Sequence, residues 1–237
     1  MPLENVNLDW ALAELRAPTS KDSYLRAFGI LLHSEYVSEA LDEYQDAVTR
    51  SRFAGGNPLE PFADEVLVAA RGMLRRLPAS SEEGVDHVHA LRAMMNLAGA
   101  EDADLIADAL EGATDVNVRE AGIFAASAAL QDGPVPNPRL LAVVGGMVFD
   151  ETLDIAERCD ALSALNGVEA PEVDDLLVRA TESDELELQI GAALHLVLPS
   201  RIQVHRERVE RLVASWPSTT GGYADIVREY LAGFHTE

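Results

Sequence analysis

Carboxylate side chains at helical spacing are the residues of this sequence with the clearest potential for chemistry. Asp154, Glu157 and Asp160 follow one another at intervals of three residues, which places three carboxylates on adjoining turns of one face if the segment is a helix. Paired carboxylates can serve acid–base catalysis, but no nucleophile, histidine partner or glycine-rich phosphate loop accompanies them in the sequence. The spacing therefore predicts a solvated helix face or, if it is functional, a docking stripe, rather than a catalytic centre.

Similar spacing recurs in the segments on either side. Asp104, Asp108 and Glu111 share a face of one predicted helix, and a third acidic group lies beyond residue 170, formed by Glu172, Asp174, Asp175 and Glu182. We predict that a partner is bound by the first two groups, which comprise Asp154, Glu157, Asp160, Asp104, Asp108 and Glu111. No residue is predicted to be catalytic.

The histidines and the cysteine do not suggest a metal or cofactor site. His87 and His89 lie two residues apart, so on a helix they point about 200° away from each other and do not chelate one ion. The sequence contains no His-Glu-x-x-His segment. Cys159 stands alone, and a lone cysteine is most often a small packing residue. We predict no metal and no cofactor.

The net charge restricts the class of partner. The 237 residues include 41 acidic and 18 basic side chains, for a formal charge of −23. Residues 101–200 contain 21 acidic and four basic residues and so hold −17 of that charge. Such a surface repels phosphate backbones and anionic lipids, which argues against nucleic-acid and membrane partners. Only Lys21 is a lysine, and an acidic, lysine-poor surface is also typical of a high-salt cytoplasm.

No targeting or membrane segment is predicted. Glu4 and Asp9 stand where a signal peptide would be basic and then apolar, so we expect a cytoplasmic protein. The longest apolar run, from Leu140 to Phe149, is shorter than the roughly 20 residues that span a bilayer. This run is apolar on every side and predicts a buried helix, with a surface for a partner or for a second copy of the chain as the alternative.

The spacing of apolar residues predicts an all-α protein with an internal repeat. Apolar positions recur at i, i+3, i+4 and i+7 along the chain, and strand signals are almost absent. The repeat is a predicted hairpin of two helices, of which the first is called A and the second B. Asp115, Asp150 and Asp184 lie 35 and 34 residues apart, each before a predicted B helix. Shorter A helices are expected at 103–112, 138–149 and 171–181, and an earlier A and B pair at 61–77 and 82–98.

The best copy of this repeat resembles the short bacterial HEAT-like repeats. The resemblance rests on Asp115, Val118, Arg119, Ala121 and Leu130, which match the turn aspartate, the Val-Arg pair and the alanine-rich B helix. Asp154 and Leu188 stand in place of Arg119 in the next two copies. The resemblance implies an α-solenoid with four repeats at 58–200, an N-terminal helical cap at 1–57 and a C-terminal helical cap at 201–237. Within the caps, helices are expected at 8–15, 21–53, 203–216 and 223–234.

The residues of this sequence argue against two classes of HEAT-like enzyme. HEAT-like di-iron hydroxylases use adjacent His-Glu pairs, which this sequence lacks. HEAT-like DNA glycosylases need a basic concave face, whereas residues 101–200 of this chain are strongly acidic. We expect instead a non-enzymatic adaptor or inhibitor that binds a basic protein, for example a toxin-neutralising immunity protein. One alternative is a lyase-like or auxiliary cofactor-handling protein, as in the bilin lyases. Another is a scaffold that is acidic only for solubility in high salt.

Overall fold

The chain forms helices throughout the part that the computed structural model describes, residues 7–76 and 81–233. No strand occurs within those ranges. The α-helices, in chain order, are α1 Leu8–Arg16, α2 Lys21–Leu32, α3 Val37–Ala54, α4 Ala63–Leu74, α5 Ser81–Met94, α6 Ala103–Glu111, α7 Val116–Gln131, α8 Pro138–Val148, α9 Ile155–Ser163, α10 Pro171–Ala180, α11 Leu186–Leu196, α12 Ile202–Ser215 and α13 Tyr223–Gly233. Short 3₁₀ turns precede α4 and α6. The predicted all-α class is confirmed.

The helix boundaries follow the expected ones to within about four residues, with one break near the N-terminus. Residues 77 and 234, where two of the predicted helices end, lie outside the described residues. The predicted helix at 21–53 is divided into α2 and α3 by a turn at residues 33–36. The hydroxyl of Ser34 donates to the Leu31 carbonyl and accepts from the Tyr36 N–H. These local bonds replace helical ones, and neither glycine nor proline marks the break in the sequence.

Two compact units divide the chain, Met1–Ala129 and Leu130–Glu237. The boundary falls within α7 and inside the segment expected to hold four repeats. The described helices of the first unit pack as neighbours along the chain, α1 on α2 and α2 on α3, while α5 packs on α3 and α4. Phe28 and Phe62 meet edge to face in its core, with ring centroids 5.1 Å apart.

Helix α11 is the centre of the second unit. It packs against α9, α10, α12 and α13, and α8 packs in turn against α9 and α10. Leu188, Ala192, Ala193 and Leu196 of α11 are fully buried, and the small alanines let the neighbouring helices approach closely. The indole N–H of Trp216 donates to the side-chain carbonyl of Gln189 on α11, 3.1 Å away. This bond ties the end of α12 to the central helix.

Asp115 and Asp150 both accept hydrogen bonds in the turns before helices, but at different distances from the helix that follows. Asp115 accepts from the backbone N–H and the side-chain amide of Asn117 at the start of α7, and these two hydrogen bonds lower the pKa of Asp115. Asp150 accepts from both the backbone and the side chain of Thr152 in the turn before α9. The N-cap of α9 is Asp154, and that of α11 is Glu185. The spacing of the helix starts therefore varies more than the spacing of the aspartates.

No helix within residues 7–76 and 81–233 combines the length and apolarity needed to cross a bilayer.

Buried His195 on α11 generates a prediction for the acid side of the stability curve. Burial, helped by the nearby charge of Arg201, lowers the pKa of His195 to about 4, and its Nδ1 has no hydrogen-bond partner in the described part of the chain. In the unfolded chain the imidazole of His195 is protonated near pH 6.5, whereas in the folded protein it stays neutral down to about pH 4. Unfolding is therefore favoured progressively as the pH falls from about 6.5 to 4. The resulting loss in the free energy of unfolding reaches about 3 kcal/mol at pH 4.

We expect His195→Leu to flatten the loss of stability between pH 7 and pH 4, as measured by urea denaturation at a series of pH values. His205→Leu, at a half-exposed position of α12, is the matched control and should follow the parent curve. Identical curves for the parent and His195→Leu would contradict a neutral, buried His195.

Candidate functional site

The second unit contains a concave surface, a groove between α8 and α10. Its volume is about 950 Å³, and the loop at residues 134–136 lies at one end, beside the starts of both helices. Phe149 and Arg179, which follow or end those helices, lie at the other end. The groove thus runs along the two helices from their starts to their ends. A cavity of this size accommodates several side chains of a bound segment.

The floor of the groove is formed by small residues on one face of α8. Ala142 and Gly146 are exposed there, and Gly145 lies beside them. A Cβ on Gly145 would stand 2.6 Å from the Cδ1 atom of Leu176, so glycine permits the close approach of α10 at this point. A Cβ on Gly146 would meet nothing within 4 Å. The groove is therefore open above Gly146 and closed beside Gly145.

Local sequence signals position α8 and its loop. Asn137 caps the helix by accepting from the backbone N–H groups of Arg139 and Leu140, and Pro138 occupies the first turn, where no N–H is needed. The preceding Pro134 and Pro136 stiffen the chain as it approaches the cap. Val135, between these prolines, leaves 75% of its surface exposed at the mouth of the groove.

Two buried arginines hold the walls of the groove. Arg158 on α9 donates through Nε to the carbonyl of Val148, 3.0 Å away, at the end of α8. Arg201 donates from one terminal nitrogen to the carbonyl of Val168 and from Nε to Asp174 of α10, both at 2.6 Å. Gly167, with a φ of +78°, makes the turn that presents the Val168 carbonyl. Each guanidinium thus fixes the backbone or helix at one side of the groove.

The far end of the groove carries the guanidinium of Arg179. Its central carbon lies 3.8 Å from the centroid of the Phe149 ring, an arrangement that allows a cation–π interaction. Arg179 has no ion-pair partner among the residues described, although it lies in the most acidic part of the chain. The half-buried Phe149 ring and the exposed Arg179 side chain separate the groove from a second cleft.

Three exposed carboxylates form the rim of the groove, which we define as Glu169, Glu172 and Asp175. Glu172 and Asp175 are three residues apart on α10 and thus lie on one face. None of the three has an ion-pair partner within residues 7–76 and 81–233. Their charge is therefore not neutralised locally, and they stand beside an apolar floor.

A second cleft continues the surface beyond Phe149 and Arg179. Its volume is about 750 Å³, and its acidic lining is Glu151, Glu182, Asp184 and Glu185. Arg208 pairs with Glu182 at 3.0 Å. We call this surface the acidic cleft. It shares Phe149 and Arg179 with the groove, so the two surfaces meet at this pair.

The predicted stripe of Asp154, Glu157 and Asp160 is not one exposed face, which corrects the sequence-based expectation. Asp154 lies just before α9 and accepts from the Glu157 N–H at 2.8 Å as its N-cap. Glu157 is buried, with 8% of its surface exposed, and Asp160 is half-buried. An aspartate followed three residues later by glutamate is a helix-start pattern, and this signal was present in the sequence. Any docking role for the three residues stays a prediction.

The other predicted group, Asp104, Asp108 and Glu111, lies together on the exposed face of α6. The opposite face of α6 is buried through Ala103, Ile106, Ala107 and Leu110. This group belongs to the first unit, and its role in binding stays a prediction.

The apolar segment from Leu140 to Phe149 is buried only in part. Leu140, Leu141, Val144 and Val148 are buried as expected, whereas Ala142 and Gly146 face the groove. The predicted burial is therefore right for these four large side chains and wrong for Ala142 and Gly146, while Val143, Met147 and Phe149 are half-buried. The paired glycines 145 and 146 inside an otherwise apolar helix were the signal that could have indicated a concave face.

Cys159 and the metal-ligating residue types are the other candidates for chemistry in the described part of the chain. Burial, reinforced by the negative charge of Glu187, raises the pKa of Cys159, which disfavours the nucleophilic thiolate. Within residues 7–76 and 81–233, no group of three or more His, Cys, Asp or Glu side chains is arranged to hold a metal ion. We take the groove as the candidate functional site.

The buried contacts of Arg201 predict a large stability difference between arginines of the second unit. Arg201→Ala leaves the buried Val168 carbonyl without its donor and Asp174 without its partner, so we expect a loss of about 2–4 kcal/mol in the free energy of unfolding. Arg211→Ala, at an exposed position of α12, should cost less than about 0.5 kcal/mol.

Urea denaturation followed by Trp216 fluorescence measures this difference in a Trp10→Phe background, where the remaining tryptophan belongs to the second unit. Equal midpoints for Arg201→Ala and Arg211→Ala would contradict the anchoring role of Arg201.

The chain matches none of the protein-family models, curated proteins or solved structures with which it was compared. A role for the groove is therefore inferred from its geometry and charge.

Proposed function

We propose that this protein is a non-enzymatic interaction module that binds a basic protein partner through the groove between α8 and α10. In this role it acts as an adaptor or inhibitor, of which a toxin-neutralising immunity protein is one concrete form. The single observation that carries the proposal is the pairing of an apolar floor with the un-neutralised carboxylates of the rim.

The chemistry of the groove specifies the occupant. Apolar side chains of a bound segment gain free energy by leaving water over Ala142 and Gly146. Lysine or arginine residues flanking them would meet Glu169, Glu172 and Asp175 at the rim, whereas acidic flanks would be repelled. The charge of −17 on residues 101–200 extends the attraction beyond contact distance and speeds association at low salt. The proposed occupant is therefore a basic segment with apolar residues.

Two further proposals concern the architecture and the location of the protein. The described helix pairs α4 and α5, α6 and α7, α8 and α9, and α10 and α11 occupy the positions expected for four HEAT-like hairpins. We propose that the chain is a HEAT-like solenoid with capping helices at both ends. We also retain a cytoplasmic location as a proposal.

Selection from a displayed library of random twelve-residue peptides tests the proposed function. We expect the parent protein to enrich peptides that combine apolar residues with lysine or arginine. Synthetic copies of these peptides should bind a Glu169→Gln, Glu172→Gln, Asp175→Asn variant about tenfold more weakly, because three charge pairs at the rim are lost. Fluorescence anisotropy at several salt concentrations measures the affinities, and binding by the parent should weaken as salt increases.

The matched control removes three exposed carboxylates of the same unit that lie outside the groove, in the variant Glu187→Gln, Glu207→Gln, Glu229→Gln. This variant should bind almost as tightly as the parent. Failure to enrich cationic peptides, or equal weakening in the two triple variants, would contradict the proposal and favour an acidic surface that serves only solubility in high salt.

Filling the groove tests its apolar floor without a change of charge. Gly146→Leu places a side chain in open space on the exposed face of α8, and replacing glycine inside a helix stabilises it by up to about 1 kcal/mol. We expect an unchanged or higher melting temperature together with at least a tenfold loss of peptide affinity.

Gly72→Leu is the control for this experiment, since Gly72 also lies in a helix, α4, and a Cβ there would meet no atom within 4 Å. It should leave peptide binding unchanged. A dimer of the parent that dissociates in Gly146→Leu, seen by analytical ultracentrifugation, would identify a second copy as the occupant and overturn the basic partner.

A further inference from the structure

We infer that in the free protein Arg179 occupies the position that a cationic side chain of the partner takes in the complex. A bound lysine or arginine then replaces Arg179 over the Phe149 ring, between the groove and the acidic cleft. The inference rests on the proposed function and adds the position at which the partner's charge is recognised. It concerns one occupant, a basic segment that lies along the groove and reaches the acidic cleft.

The position of Phe149 supports this exchange. Its half-buried ring lines both the groove and the acidic cleft, and the Arg179 guanidinium covers it at 3.8 Å. A segment that follows the groove from the loop at 134–136 must therefore pass Arg179 before it reaches the acidic cleft. An aromatic face at that point attracts a cation from the segment as well as it attracts Arg179.

The hold on Arg179 is weak. The side chain of Arg179 is exposed and contacts the Phe149 ring. Within the described ranges it has no ion-pair partner. An exposed cation–π contact corresponds to about two- to fivefold in an equilibrium constant. By contrast, Arg158 and Arg201 are buried and hydrogen-bonded to backbone carbonyls. Arg179 is thus an arginine of this surface that can leave its place at low cost.

The charges around the ring favour the incoming cation. On one side lie Glu172 and Asp175 of the rim, and on the other lie Glu151, Asp184 and Glu185 of the acidic cleft. None of these five carboxylates has an ion-pair partner in the part of the chain that the structure describes. A cation brought by the partner increases the positive charge among them, whereas Arg179 is already present in the free protein.

The length of the groove predicts the spacing of the partner's residues. An α-helix of 11 residues, such as α8, is about 16 Å long. An extended segment covers this distance with about five residues. We therefore expect the cation to lie about five residues from an apolar residue seated near Val135.

The experiment combines a change in the protein with a change in the peptide. The peptides are those selected from the random library, together with copies in which the lysine or arginine at the predicted spacing is replaced by norleucine. Arg179→Gln should bind the cationic peptides about three- to tenfold more tightly than the parent, and this gain should disappear with the norleucine copies. Arg211→Gln removes the same charge from an exposed site outside the groove and should change affinity less than twofold.

Phe149→Leu provides a second measurement, since it keeps an apolar side chain but removes the aromatic face. It should lower the affinity for the cationic peptides about threefold or more and leave the norleucine copies unaffected. Circular dichroism and Trp216 fluorescence verify that each variant is folded.

The outcomes separate the two proposals. If no cationic peptide is enriched, both the proposed function and this inference are overturned. If cationic peptides bind at the rim, but Arg179→Gln gains no more than Arg211→Gln or gains equally with norleucine, the inference is overturned and the function stands. A loss of affinity in Arg179→Gln would show that Arg179 contacts the partner directly, which also overturns the inference.

Discussion

The groove depends on the buried guanidinium of Arg201. With 4% of its surface exposed, Arg201 donates to the Val168 carbonyl and to Asp174. The first bond fixes the turn before α10, and the second fixes α10 itself. Because a buried guanidinium without acceptors is costly, the turn and the helix are held where they can satisfy it. One wall of the groove is therefore set by the requirement to pair a buried charge.

The opposite wall follows from close packing. Gly145 lets α10 approach α8 at Leu176, and Arg158 fastens the end of α8 to α9. The missing side chain at Gly146 leaves the space between the helices unfilled. An apolar depression is thus a consequence of the small, exposed residues Ala142 and Gly146 on one face of α8. Its chemistry comes from the carboxylates of α10 along its edge.

Acidic residues have two distinct roles in this chain, which explains why charge alone did not identify the surface. Asp115, Asp150 and Asp154 accept hydrogen bonds at helix starts or in turns and so serve the fold. Glu169, Glu172 and Asp175 have no ion-pair partner in the described residues and face the groove. Both groups are carboxylates of the same acidic stretch, residues 101–200. What separates them is whether a backbone N–H lies within reach.

The sequence by itself determined the all-α class, most helix boundaries and the concentration of negative charge, because periodicity, caps and composition are local properties. It could not predict the break at Ser34, since competing side-chain bonds decided it. It also could not predict the burial of Glu157 or the groove, because burial depends on which helices pack together. Only the tertiary structure decided that Arg201 is buried, that Gly146 is uncovered and that Phe149 separates two clefts. These properties arise from contacts between segments that are distant in the chain.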